Sequence, residues 1–359
     1  MKLMKLGLFG YAIMLVFFAG CKSKETTSAI LHNSVGRYDL AIQTATEALA
    51  KDPTDAEAHF QLGISYSHLD STGLAYENFM RAAELDPNQI RKKNVENNIQ
   101  SNYAKHYNRA LKVMKDEDKT DAVAEFIKAT QADPREAKAF FQLAKVYSMM
   151  GESEPKYYNN AIANFDRVLD LATPADKHYI DALSLAGEVL AKSGRPEEAV
   201  SRFARLVEED PTNYRVIEKL GYSRLDTKDW KGAAVFLDLS AQARSKIGAE
   251  DFNLYYNLGV ANFQMGKEVP DFLPRAVDYY QNALNLEPNE PTTTYNIVAT
   301  YVVGENWAEA VTWGERYVDL KPDDPNGWKL LSRSYTELGD QEKGRQCMAR
   351  YAELVKQSD

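Results

Sequence analysis

The chain has 359 residues, 26% of them charged and 44% hydrophobic, with 13 prolines and 19 glycines, so wholesale disorder is excluded. Lys and Arg number 43 against 52 Asp and Glu, and the resulting charge of −9 repels phosphate, which argues against a nucleic-acid partner. Two cysteines cannot build a disulfide framework. At the start of the chain Lys2 and Lys5 precede an uncharged, mostly apolar run from Leu6 to Ala19, which leads into Gly20-Cys21. A basic start, an apolar run and small residues before a cut are the parts of an export signal. The run is shorter than the roughly 20 residues that a spanning helix needs; an uncleaved anchor helix is the alternative.

The Ala19-Gly20-Cys21 ending resembles the lipobox of bacterial lipoproteins, with Phe18 where that family usually has Leu. The resemblance implies that residues 1–20 are a cleaved signal peptide and that Cys21 is lipidated. Several acyl chains, each contributing about 0.8 kcal/mol per buried methylene, would anchor the protein firmly. Residues 21–28 then read as the lipidated Cys and a polar tether, KSKETTS. Lys22, where Asp often marks inner-membrane retention, points to the bacterial outer membrane and its periplasmic face. Lys24-Glu25 matches a cell-surface export pattern in part.

Beyond the tether one register runs to the end of the chain. Asp52-Pro53 and Asp86-Pro87 lie 34 residues apart, and so do Glu287-Pro288 and Lys321-Pro322. With that Pro at repeat position 32, position 20 reads Ala41, Ala75, Ala122, Ala161, Ala199, Ala233, Ala276, Ala310 and Gly344. Position 8 is also small in most copies, for example Gly63, Ala110, Gly187 and Gly259, with Val298 as an exception. Position 24 is large and apolar (Phe79, Phe126, Phe165, Phe203, Leu237, Tyr280, Met348), with Ala45 and Gly314 departing.

This pattern resembles the tetratricopeptide repeat, a helical hairpin with a 34-residue period. The resemblance implies an all-α, right-handed superhelical solenoid of about nine helix-turn-helix repeats over 29–359. The copies are 22–55 (degenerate), 56–89, 103–136, 137–175, 180–213, 214–247, 252–290, 291–324 and 325–358. Residues 90–102 hold no helix breaker and predict a lengthened leading helix in the third copy. Five extra residues in the fourth and seventh copies, with Pro155, Pro270 and Pro274, predict protruding hairpin tips. Met348, Tyr351 and Val355 in the last helix predict either a partly exposed end or a docking and dimer surface.

No catalytic motif accompanies the repeats. The five histidines include no pair at helical i, i+3 or i+4 spacing, and neither a zinc-protease, a nucleophile-elbow nor a P-loop motif occurs. Cys347 reads as a thiol filling a helix contact. Acid pairs such as Asp323-Asp324 fall at helix ends, where they cap or solvate. No enzyme, metal or cofactor is implied.

The family resemblance implies that leading helices carry the partner-facing surface, at repeat positions 2, 5, 9 and 12. Positions 5 and 6 include Tyr107-Asn108, Phe141-Gln142, Tyr256-Asn257 and Tyr295-Asn296. A ring offers contact area at low entropy cost and an amide can pair with a peptide backbone. Tyr256, Asn257, Tyr295 and Asn296 are therefore candidate partner-binding residues, and Lys329 and Arg333 a candidate carboxylate-holding pair. Lys138 and Lys145 form a second cationic pair. The segment 88–115 sets Arg91, Lys92, Lys93, Lys105, Arg109, Lys112 and Lys115 against Glu96 alone. It reads as a solvated face or as a site for an acidic partner or phosphate-bearing lipid. The chain is thus expected to be a lipid-anchored scaffold for protein or peptide partners in the envelope. A glycan-binding accessory protein is the alternative, with Tyr222, Glu188 and Glu218 as its candidate rings and carboxylates.

Overall fold

The computed structural model describes residues 22–115 and 119–358. The signal-peptide expectation for 1–20 and the lipidation of Cys21 lie outside the described residues. Among these residues the regular structure is helical. The first helices are α1 (Lys24–Ser34), α2 (Tyr38–Lys51), α3 (Ala56–His68), α4 (Thr72–Leu85), α5 (Gln89–Lys115) and α6 (Lys119–Ala132). Next come α7 (Ala137–Gly151), α8 (Tyr157–Leu171), α9 (Lys177–Lys192), α10 (Pro196–Glu209), α11 (Tyr214–Asp226) and α12 (Trp230–Lys246). The last are α13 (Phe252–Gly266), α14 (Leu273–Leu286), α15 (Pro291–Val303), α16 (Trp307–Leu320), α17 (Pro325–Leu338) and α18 (Gln341–Ser358). Two compact units divide at Ala182 and Leu183, within α9.

The helices start where the sequence supplies an acceptor for their free N–H groups. Asp55 accepts from the amides of Glu57 and Ala58 at 3.0 Å, and Asp251 from that of Leu254 at 2.9 Å. Glu290 and Asp324 cap α15 and α17 in the same way, so the Asp323-Asp324 pair contributes a cap. Gly339, at φ +100, turns the chain out of α17 in the left-handed region that disfavours a side chain.

Within each unit the core repeats with the register. All eight alanines at position 20 are fully buried, as are Phe79, Phe126, Phe165, Phe203, Leu237 and Tyr280 at position 24. Position 8 is small because the position-24 side chain lies on it. A Cβ on Gly63 would sit 2.5 Å from the Phe79 ring and one on Gly187 2.6 Å from that of Phe203. The eighth copy exchanges the sizes: Val298 is buried at position 8 and position 24 is Gly314, where the Leu331 side chain fills the space, 3.0 Å from the Cβ position. The gap at Gly314 is thus filled from the ninth copy, as a close-packed interior requires.

Three segments sharpen the sequence reading. Residues 24–28, expected to be tether, form the first turns of α1. Ser23 caps this helix through the Thr26 amide at 3.0 Å, and the buried Thr26 hydroxyl donates to Asp55 at 2.5 Å. Polarity misled because those hydroxyls are satisfied inside the first repeat. The 90–102 segment does extend α5, burying Val95 and Ile99. Of the prolines in the seventh copy, Pro270 opens a single 3-10 turn, and Pro274 belongs to the first turn of α14. Cys347 is buried, and burial raises its thiol pKa.

Candidate functional site

In the second unit α13, α15 and α17 carry the candidate residues. Tyr256 stacks on Phe252 with ring centroids 6.0 Å apart and lies 6.0 Å from the ring of the buried Tyr280. Tyr295 packs edge-on against Tyr317 at 5.2 Å. The rings are half-buried, with part of each open to solvent. Their amide neighbours are engaged. Asn296 Nδ2 donates to the Tyr256 hydroxyl at 3.3 Å and Asn296 also hydrogen-bonds Tyr280. Asn257 donates to its own helix at Asn253 O, 2.8 Å, and bonds Tyr222. In the first unit Gln142 likewise bonds the Tyr107 phenol. A position-6 amide therefore reaches the position-5 phenol of the preceding copy in Gln142–Tyr107 and in Asn296–Tyr256. These amides clamp neighbouring copies, a role that sequence spacing alone does not separate from partner contact.

Lys329 and Arg333 are exposed on α17. Lys329 Nζ lies 5.9 Å from the Tyr351 ring and the Arg333 guanidinium 5.4 Å from that of Trp307. Ring faces orient both cations without neutralising them. Trp307 and Tyr351 are the residues the sequence reading did not tie to this pair, since they approach from the neighbouring helices α16 and α18. In the same unit Glu218 is held by Arg244 at 2.8 Å and by Ser240 at 3.1 Å. Burial pushes Tyr222 up to about 12, with Glu218 and Asp251 adding to it. Burial also raises the Glu188 carboxyl, against the pull of Lys192 and Lys219.

In the first unit the basic segment on α5 separates into two sets. Arg91 packs over the Phe60 ring at 4.7 Å and pairs with Glu57 at 2.6 Å and Asp86 at 3.4 Å, its side chain 13% exposed. Lys105 pairs with Asp70 at 2.6 Å. Arg109 lies 3.8 Å from both Asp70 and Glu125, and His106 bridges toward the same two carboxylates. Lys92, Lys93 and Lys112 remain exposed with no ion pair among the described residues. Arg91 and Lys105 are thus junction residues, which corrects their reading as a free basic site. The neutralising acids come from α3, from α6 and from the turns flanking α4, too far along the chain for composition to reveal.

Burial alone would raise the Asp70 carboxyl, but Lys105, His106 and Lys128 outweigh it and hold it low. Glu125 is similar, with burial overcome by His106, Lys128 and Arg109. Glu57 also stays low despite burial, through Arg91 and Gln61.

Stacked helical hairpins with a buried small residue at each crossing define an all-α solenoid repeat protein. The sequence matches the family described as Tetratricopeptide repeat over residues 28–90 and 184–247. The chain carries tetratricopeptide repeats over those residues. It is 38% identical over 69 residues to the Beta-barrel assembly-enhancing protease of Yersinia pestis, a match over 19% of this chain and 14% of that protein's length. Among solved structures it resembles MamA (20% identity, TM-score 0.36, 48% of this chain and 95% of that one). It also resembles YrrB, titled a TPR protein with an unusual peptide-binding site (16% identity, TM-score 0.32, 64% and 91%). A third likeness is to part of a TPR repeat-containing protein from Cytophaga hutchinsonii (15% identity, TM-score 0.34, 69% and 95%). Proteins of this family generally act as protein-interaction scaffolds.

Proposed function

We propose that the protein is a non-enzymatic scaffold, lipid-anchored at Cys21 in the bacterial envelope, that holds an extended segment of a partner protein on α13, α15 and α17. The observation that carries this reading is the sequence of surfaces along these three helices. Half-open rings at Tyr256 and Tyr295 are followed by two exposed cations, Lys329 and Arg333, that pair with no carboxylate among the described residues. Rings supply low-entropy contact area and the cations take a carboxylate. The lipobox-like ending at Cys21 supports the anchor, and Lys22 supports the outer membrane. The glycan alternative is weakened because the Glu218 carboxylate is already occupied by Arg244 and Ser240.

The test is crosslinking and affinity capture from native membranes, comparing wild type with a variant carrying Tyr256→Ala, Tyr295→Ala, Lys329→Glu and Arg333→Glu at unchanged helicity. A protein retained by wild type and lost from the variant is the expected result. Equal retention by both moves the site elsewhere on the protein. Absence of any protein partner, with retention on envelope polysaccharide or peptidoglycan, would replace the scaffold with a glycan-binding role.

A further inference from the structure

A cavity recurs in the second unit where the second helix of one copy meets the turn of the next. Between the fifth and sixth copies it measures about 290 Å³. There Arg224, at repeat position 11, lies 3.2 Å from Asp229, at position 16, and also donates to Ala191 O at 3.3 Å. The eighth copy holds Tyr301 and Asn306 at those positions, and the cavity between it and the seventh copy measures about 510 Å³. The hairpin insertion of the seventh copy supplies its wall: Pro270 opens a 3-10 turn and Pro274 stands in the first turn of α14. Between them Leu273 lies 3.2 Å from where a Cβ on Gly304 would sit, so the turn closes onto it because residue 304 has no side chain.

The larger cavity joins an apolar floor to unengaged polar groups. Pro270, Leu273, Pro274 and Val277 supply the floor. The side chains of Asp278 and Gln281, both from α14, and the Tyr301 hydroxyl form no hydrogen bond or ion pair among the described residues. Asn306 Oδ1 accepts from the Glu309 amide at 3.4 Å, which leaves its Nδ2 free to donate. The Thr300 hydroxyl, by contrast, is spent on Asn296 O at 2.6 Å. Burial raises the Tyr301 phenol, with the Glu309 and Asp278 carboxylates adding to it, so at neutral pH it remains a donor. No cationic side chain lines the cavity among the described residues, so a phosphate or a carboxylate finds no counter-charge there. The volume lies within the range of small-ligand sites, about 300–1,000 Å³, which pair an apolar lining with a few placed polar groups.

We propose that this cavity binds a neutral sugar unit of a glycan, with the C–H face of the ring on the proline and aliphatic floor and its hydroxyls on Asp278, Gln281 and Asn306. A hydroxyl both donates and accepts. The Asp278 carboxylate accepts, the Asn306 Nδ2 donates, and the Gln281 amide does both, so a hydroxyl-rich ligand engages all three. A lysine or arginine side chain, the competing occupant, is drawn by Asp278 but leaves the Asn306 donor unused. The site lies on α14 and the α15–α16 turn, apart from the rings and cations proposed to hold a partner, and it uses none of Tyr222, Glu188 and Glu218. It therefore goes beyond the scaffold reading and stands or falls separately from it.

Saturation-transfer NMR on the full-length protein in detergent tests this, with glucose, galactose, mannose and N-acetylglucosamine and their short oligosaccharides as probes. At least one of these sugars should bind, and its binding should hold as salt rises. Asp278→Ala with Gln281→Ala should weaken it by at least about tenfold at unchanged helicity, since neither side chain has a bond within the fold to lose. Asn306→Asp, which keeps the oxygen that caps α16 and removes only the amide donor, should weaken it as well. The variant carrying Tyr256→Ala, Tyr295→Ala, Lys329→Glu and Arg333→Glu should bind sugar like wild type, so loss of partner capture and loss of sugar binding are read apart. Saturation transfer to none of the probes would overturn the proposal, and so would binding that survives Asp278→Ala with Gln281→Ala. A labelled lysine- or arginine-bearing peptide that binds through Asp278 and is released by salt, with no sugar bound, would overturn it in favour of a cationic side chain.

Discussion

The two units share one core and differ in how their copies are joined. In the first, charges bridge the copies: Arg91 to Glu57 and Lys105 to Asp70, with His106 Nε2 3.6 Å from Asp70 as well. In the second, phenols take much of that role. Tyr279 donates to Asp238 and Tyr335 to Glu315, and Asn296 donates to Tyr256. The Arg244–Glu218 ion pair of that unit joins α11 and α12 within a single copy. A phenol–carboxylate bond keeps one neutral partner, so it responds weakly to ionic strength, whereas an ion pair is screened. The repeat fixes where helices cross and leaves the chemistry of the junction free to vary.

The largest effect should ignore this difference. Phe126 and Phe203 hold the same repeat position in the two units and both are fully buried. Phe126→Ala and Phe203→Ala should each cost about 3–5 kcal/mol, measured by urea unfolding. A large disparity between them would mean that the common core does not dominate and that the junctions do. The next effect should separate the units. Glu57→Ala leaves Arg91 half-paired against the Phe60 ring and should cost about 2–3 kcal/mol at low salt, falling as salt rises. Tyr279→Phe removes one donor to Asp238 and should cost about 1–2 kcal/mol with little salt dependence. Equal salt dependence in both variants would erase the distinction.

How much of this was legible depends on the distance between partners in the chain. The position-20 alanines and position-24 rings were readable because each marks one face of one helix at a fixed period. The pairing of Gly63 with Phe79 was half visible, since both positions show in the sequence but the contact between them does not. Gly314 looked like a bare departure, and the space it leaves is filled by Leu331 of the next copy. The basic run on α5 was misread in part because its acids arrive from other elements: Glu57 lies 34 residues before Arg91, and Asp70 lies 35 before Lys105. The position-6 amides were found by spacing, but their hydrogen bonds to phenols required coordinates. Residues 24–28 were polar for a reason that no window average contains, the Thr26–Asp55 bond across the first repeat.

The smallest expected effect is a difference in acid response. Glu57, Asp70 and Glu125 have carboxyls held below their ordinary values in the folded first unit, despite burial, by the cations around them. A depressed carboxyl contributes stability that is present above its unfolded pKa, near 4, and is lost as pH falls through the folded value. In the second unit Glu290 behaves in that way, where burial is outweighed by the α15 amides it caps. Glu188 has the opposite sign: its carboxyl is raised by burial, so its contribution is present at low pH and lost as pH rises through the folded value. Hydrogen exchange read by mass spectrometry from pH 6 down to about 3 should therefore show α3 to α6 losing protection before α11 to α16. The contrast should fade in alkali. Phenols raised by burial occur in both units, Tyr103 and Tyr107 in one and Tyr279, Tyr317 and Tyr335 in the other, and each loses its contribution as pH climbs above about 10. Simultaneous loss of protection in acid would show that the ion pairs on α5 are too well screened to set the stability of their unit, and the difference between the two junction chemistries would then be one of specificity rather than strength.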